Sequence, residues 1–214
     1  ARSDGRFAQF IGENHLLAGT DLAFIGIHAL STKAAPKRLW TAPHDGLAFG
    51  VSGDGLTLLV AGNSPRDLRG YELNFGPAGE FLAVRQTKLP LAAAALALNQ
   101  DGRQALLAGR QGGLQFYDVP RDQLAGRLSP PTGMTFTQVR YCADDRRAVS
   151  LSQPTRDKGL TGDVLTLWDL ENRQALAAVT NQFVVNGLAL DPARQRVAVV
   201  GTDLLVRIFD ADSL

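Results

Sequence analysis

Apolar and polar positions alternate in short runs along this chain, and the runs return in one order. Leu47–Val51, Ala94–Leu98, Phe136–Tyr141 and Gly187–Leu190 are apolar segments, each followed by an aspartate-led turn: Asp54-Gly55, Asp101-Gly102, Asp144-Asp145 and Asp191-Pro192. A second apolar segment comes after each turn, at Leu56–Ala61, Gln104–Ala108, Arg147–Leu151 and Val197–Val200. A hairpin then leads to a third segment with the period of two expected of a strand, as in Val164–Trp168 and Val206–Phe209. A fourth, more polar segment follows at Phe81–Lys88, Gln123–Leu128 and Gln174–Val179.

The aspartate turns recur at intervals of 47, 43 and 47 residues. A second marker, an aromatic followed by an acid, closes each unit at Tyr71-Glu72, Tyr117-Asp118, Trp168-Asp169 and Phe209-Asp210, at intervals of 46, 51 and 41. Two markers on one period predict an all-β fold, a β-propeller of four-stranded antiparallel blades. It forms a single domain over 1–214, with units near 1–41, 42–89, 90–129, 130–180 and an incomplete 181–214. About four and a half blades are legible.

One segment pulls the other way. Leu91–Leu98 is rich in alanine and leucine and has high helix propensity. It is short for a helix, follows Pro90 and runs straight into the Asp101-Gly102 turn. In register with its siblings it is an innermost strand, where crowding about the axis favours small side chains, and a strand is expected. Near the start two registers compete. Either Ser3–Phe7 is the turn after a missing first strand, or Phe7–Ile11 and His15–Ala18 are the first two strands. Only four residues follow Asp210, so the last unit has no fourth strand. Closed propellers have about 4–8 blades, and unpaired sheet edges are a liability in water. The favoured expectation is that these residues belong to a longer chain. The other is an open propeller completed by a partner's strands or blades through β-augmentation.

Composition bounds the function. With 214 residues, 45% of them hydrophobic, the chain can bury one substantial core. The net charge is +1 and the 22 Lys and Arg are scattered, so neither nucleic acid nor an anionic membrane is an expected partner. No apolar run in this stretch is long enough to span a bilayer and no leader peptide is legible in it; the compartment stays undetermined, with the cytoplasm the favoured expectation. Cys142 is the single cysteine, which excludes an intrachain disulfide; within Val139–Cys142 it reads as a small buried hydrophobe.

The common catalytic patterns are missing. His15, His28 and His44 are not spaced as a zinc-binding pair, and His28, inside Phe24–His28, reads as structural. Asp144-Asp145 offers two carboxylates for acid–base work, but its register makes it a surface turn equivalent to Asp54 and Asp101. Gly109–Gly113 lacks a phosphate-binding lysine and precedes a strand. No catalytic residue, cofactor or metal is expected. Trp168 reads as core, whereas Trp40, ahead of Thr41-Ala42-Pro43-His44, is either core or a binding aromatic. The irregular unit is the one ending in Trp168-Asp169, where about six to eight extra residues fall in the polar, turn-rich stretch Gln153–Gly162. Loops on rigid scaffolds are where binding groups concentrate.

Val164–Leu170 resembles the third strand of a WD-repeat blade with its Trp-Asp ending. Gly201–Asp210 resembles the hairpin and third strand, with Asp203 in the place of the turn aspartate. One closing dipeptide of four is Trp-Asp, and the family's Gly-His pair survives at best as His44. On these residues the chain is similar to the WD-repeat β-propeller family over nearly its whole length. The resemblance implies a non-catalytic protein–protein interaction platform, a scaffold subunit of a complex. Its site would be the rim shared by the second-to-third-strand hairpins and the crossings between blades. That rim would offer another protein Trp40, His44, Arg66, Arg69, Arg110, Gln111 and, on the long hairpin, Arg156, Asp157 and Lys158. Two other classes stay open. One is a small-GTPase exchange factor or regulator resembling the propeller that starts COPII coat assembly at the endoplasmic reticulum. The other is the propeller module of a bacterial redox or enzymatic protein.

Overall fold

The computed structural model describes residues 7–11, 14–20, 24–30, 35–43, 48–61, 68–76, 81–89, 93–108, 113–155, 162–191 and 196–214. Every regular element among them is a strand. The first sheet is β1 (Phe7–Ile11), β2 (His15–Thr20), β3 (Phe24–Ala29) and β4 (Lys37–Pro43); the second is β5 (Ala48–Val51), β6 (Thr57–Ala61), β7 (Leu68–Phe75) and β8 (Phe81–Leu89). The third is β9 (Ala95–Leu98), β10 (Gln104–Ala108), β11 (Leu114–Asp118) and β12 (Gln123–Leu128); the fourth is β13 (Met134–Tyr141), β14 (Arg147–Pro154), β15 (Val164–Asp169) and β16 (Gln174–Thr180). The fifth sheet has three strands, β17 (Val185–Asp191), β18 (Arg196–Gly201) and β19 (Val206–Asp210). Within each sheet, strands pair antiparallel in chain order, and the five sheets are the blades of a β-propeller.

Three local expectations meet the structure here. Of the alanine-rich segment, Ala95–Leu98 is a strand, β9, buried along its whole length, because packing between neighbouring blades overrides helix propensity; Ala93 and Ala94 precede the strand, and 91–92 lie outside the described residues. Phe7–Ile11 and His15–Thr20 are the first two strands of the first four-stranded sheet, which is the second of the two registers; 3–6 lie outside the described residues. The third outcome, at the long hairpin, is a correction. β14 does not stop at Leu151 but continues through Gln153 and Pro154, which pair with Thr135 and Met134 of an equally lengthened β13. Part of the extra sequence therefore extends the blade.

The core lies between blades, and one register repeats it. In each blade, alternate residues of the second and third strands face forward, toward the next blade. Leu17, Ile25 and Ile27 of the first blade meet Leu58, Val60, Tyr71 and Leu73 of the second. Leu59, Ala61 and Leu68 meet Ala105, Leu107 and Tyr117 of the third. Leu106, Ala108, Leu114 and Phe116 meet Ala148 and Trp168 of the fourth. Val149, Leu151, Leu165 and Leu167 meet Val197 and Val199 of the fifth. Full burial of such side chains contributes about 1.5–3 kcal/mol each, so these contacts dominate the cohesion of the blades. Trp168 also satisfies its indole: Nε1–H donates to the buried Ser150 Oγ at 2.8 Å.

Candidate functional site

Antiparallel strands in chain order place the turns on alternate rims. The aspartate-led turns and the third-to-fourth-strand turns lie on one rim; the second-to-third-strand hairpins and the crossings lie on the other. On the aspartate rim the turns are joined to one another. Asp54 donates its N–H to the Gln100 carbonyl at 2.8 Å, and Gln100 donates its own N–H to both carboxylate oxygens of Asp145 at 3.0 Å. Asp144, next door, accepts from Arg147 Nε at 2.8 Å, and Arg147 also reaches Asp212 of the fifth blade. The cluster Asp144–Arg147 is thus built into the junctions between three blades.

Of the residues expected on the hairpin rim, the structure describes two. Trp40 lies in β4, half-buried against the core between the first two blades, its ring edge-on to Tyr71 at 5.2 Å. Arg69, in β7, is half-buried and alternation puts it on the Tyr71 face, toward the same junction. His44, Arg66, Arg110, Gln111, Arg156, Asp157 and Lys158 lie outside the described residues. At the base of the long hairpin, Thr155 donates both its N–H, at 2.8 Å, and its hydroxyl, at 2.9 Å, to the Gly133 carbonyl. Asp163, buried at the other end, accepts the Val185 N–H at 2.6 Å and the Gln153 amide at 3.1 Å, which ties the fourth blade to the fifth.

Two features stand out that the motif search passed over. The first is an axial cavity of about 410 Å³, bounded by the ends of β5, β9, β13 and β17 and open toward the aspartate rim. Aliphatic side chains of β5, β9 and β17 share its wall with Phe49, Asn99 and Gln100, and Arg140 and Tyr141 line it from β13, with Asp145 from the turn that follows. Burial pulls the Arg140 guanidinium below its ordinary value. Burial, with the charges of Asp145 and Asp101, pushes the Tyr141 phenol upward, and its hydroxyl donates to Gln104 Oε1 at 3.0 Å. Burial likewise pushes the Cys142 thiol up to about 11, the state of an unreactive core cysteine. The signal for Arg140 was present in the sequence: it is the one charge in the innermost strand Phe136–Tyr141.

The second feature is the forward face of the fifth blade. Arg147 pairs with Asp169 as Arg196 pairs with Asp210, so Val149, Leu151, Leu165 and Leu167 correspond to Ala198, Val200, Val206 and Ile208. The first four are fully buried, whereas Val200, Val206 and Ile208 are 40%, 67% and 64% exposed. Phe10, on the backward face of the first blade, is also 67% exposed. The two outermost blade faces therefore do not cover one another. β19 pairs with β18 on one edge, and no described strand lies on the other.

Architecture and site together define a β-propeller with an open apolar face and a shallow axial cavity. No family model matches the chain, and no curated protein matches it by sequence. Its fold is similar to that of hydrazine synthase from Kuenenia stuttgartiensis, with a TM-score of 0.65 and 12% identity. The match covers 88% of this chain and 52% of that one, so this chain spans about half the length of its structural neighbour. With 1400 solved chains matching, the fold by itself selects no activity. Among the described residues no group of three or more His, Cys, Asp or Glu side chains is placed to hold a metal, and no helix is long and apolar enough to cross a membrane.

Proposed function

We propose that this chain is a non-catalytic protein–protein interaction platform of the WD-repeat kind, and that its fifth blade is a docking face for a partner polypeptide. The observation that carries the reading is the exposed row Val200, Val206 and Ile208, in the register whose apolar side chains the preceding blades bury. Clustered apolar exposure of this kind marks an interaction surface. The partner's contribution is a β-sheet face of aliphatic and aromatic side chains, like the faces of Val197 and Val199 or of Tyr71 and Leu73, with a strand that adds to the open edge of β19. Support for the WD-repeat kinship comes from Trp168-Asp169 at the end of β15 and from Asp203. The Asp203 carboxylate accepts the Leu205 N–H at 3.3 Å and pairs with Arg207 at 2.6 Å. The enzymatic-module reading has only the fold-level likeness to hydrazine synthase behind it.

A photo-crosslinking residue at Ile208 of the intact protein, irradiated in its native extract, tests the proposal. A crosslink to a different polypeptide, lost in Val206→Asp, is the expected result. Crosslinks confined to the protein's own chain would overturn it.

A further inference from the structure

The axial cavity has one cation in its wall and nothing described that neutralises it. Arg140 Nη1 donates to the carbonyl of its own neighbour Val139 at 2.8 Å. Ion pairs join Arg121, Arg147 and Arg207 to Asp118, Asp144, Asp212 and Asp203, and Arg140 is in none of these. Asp145, the single carboxylate of the cavity wall, is engaged by other partners: its oxygens accept the Gln100 N–H and, at 3.4 Å, the Asn99 side-chain amide. Tyr141 is committed to Gln104. A guanidinium drawn out of water costs free energy unless an anion meets it, and its planar fork fits a carboxylate with two parallel hydrogen bonds. Around it Val51, Leu96, Leu98, Leu188 and Leu190 supply aliphatic wall, and a volume near 410 Å³ lies in the range of small-molecule sites.

We infer that the axial cavity is a binding site for a small aliphatic carboxylate, whose anionic end pairs with Arg140 and whose short hydrocarbon part lies against the leucines of β9 and β17. The acid enters from the aspartate rim. Arg140, half-buried and the single cation of the cavity lining, is the reason for a monoanion to bind. The site is independent of the docking face on the fifth blade, since none of its wall comes from β18 or β19.

The test is a melting and calorimetric titration of the intact protein with 4-methylpentanoate, its uncharged amide and inorganic phosphate. The carboxylate should raise the melting midpoint saturably at millimolar concentration or below, with the amide and phosphate at least tenfold weaker. Arg140→Met, which fills the same space without charge, should abolish the response, and Arg140→Lys should weaken binding at least tenfold. Absence of any carboxylate effect would overturn the inference, as would equal effects of acid and amide or a response that survives Arg140→Met. Phosphate binding as tightly as the acid would overturn the role of the aliphatic wall. The three-ligand comparison on the unaltered protein stands even if a variant fails to fold.

Discussion

The backbone nitrogen of Gln100 lies 3.0 Å from both carboxylate oxygens of Asp145, a hydrogen bond that crosses from the third blade to the fourth. Asp145 holds a left-handed backbone, φ +54°, which aspartate and asparagine tolerate better than other side chains. Asp145→Ala should therefore cost about 1–3 kcal/mol, the penalty of an abandoned donor plus a poorer turn residue. Asp145→Asn, which keeps an acceptor and the backbone preference, should lose clearly less. Urea midpoints of the two variants check this, and equal losses would remove Gln100 from the account.

His15 is buried and its ring lies 4.8 Å from that of Phe75. Burial lowers its pKa from the ordinary value near 6.5, so the fold favours the neutral ring while the unfolded chain takes up the proton first. The stability linked to His15 is fully present above its unfolded pKa and is lost as pH falls from there toward the lower folded value. Urea unfolding at pH 8 and pH 5 should show a drop that His15→Phe reduces. An identical drop in the variant would assign the pH dependence elsewhere.

Ser150 is completely buried and accepts the Trp168 indole N–H at 2.8 Å. Ser150→Ala strands that donor inside the junction of the third and fourth blades, at an expected cost of about 1–3 kcal/mol. Equilibrium unfolding followed by tryptophan fluorescence measures it. A loss below about 0.5 kcal/mol would mean that the indole finds another acceptor.

For the long hairpin, the structure separates two deletions. Replacing 156–161 with two glycines spares Thr155 and Asp163, and the melting midpoint should hardly move, since closure entropy changes slowly with loop length. Removing all of 153–162 takes away the Gln153 and Pro154 pairings and the Gln153 bond to Asp163, and should lower the midpoint by several degrees. Equal melting of the two would show that the lengthened β13–β14 ladder contributes nothing.

How much was legible follows from what each signal encodes. Blade order and strand positions were readable because alternation and turn residues are local. Trp168 and the alanine-rich β9 were placed correctly through their register with sibling units. The end of β14 was missed because Gln153 and Pro154 carry loop composition, and only pairing with Thr135 and Met134 makes them strand. Arg140 was passed over because alternation assigns a face without revealing that four strand ends enclose a cavity. The exposed row on the fifth blade is invisible in composition, since Val206 and Ile208 are as apolar as Leu165 and Leu167, and only their surroundings differ.

That difference permits the most direct measurement. Cys142 is the single cysteine, buried and with its thiol pushed up to about 11, so a cysteine introduced elsewhere reports with little background. Native-state labelling rates of Val206→Cys and Leu165→Cys compare two equivalent positions of the repeat. In the purified chain the account predicts fast labelling at 206 and labelling at least a hundredfold slower at 165, with 206 becoming protected once the partner complex is assembled. Protection at 206 in the purified monomer, or undiminished labelling there in the assembled complex, would contradict the claim that the fifth blade is a docking face.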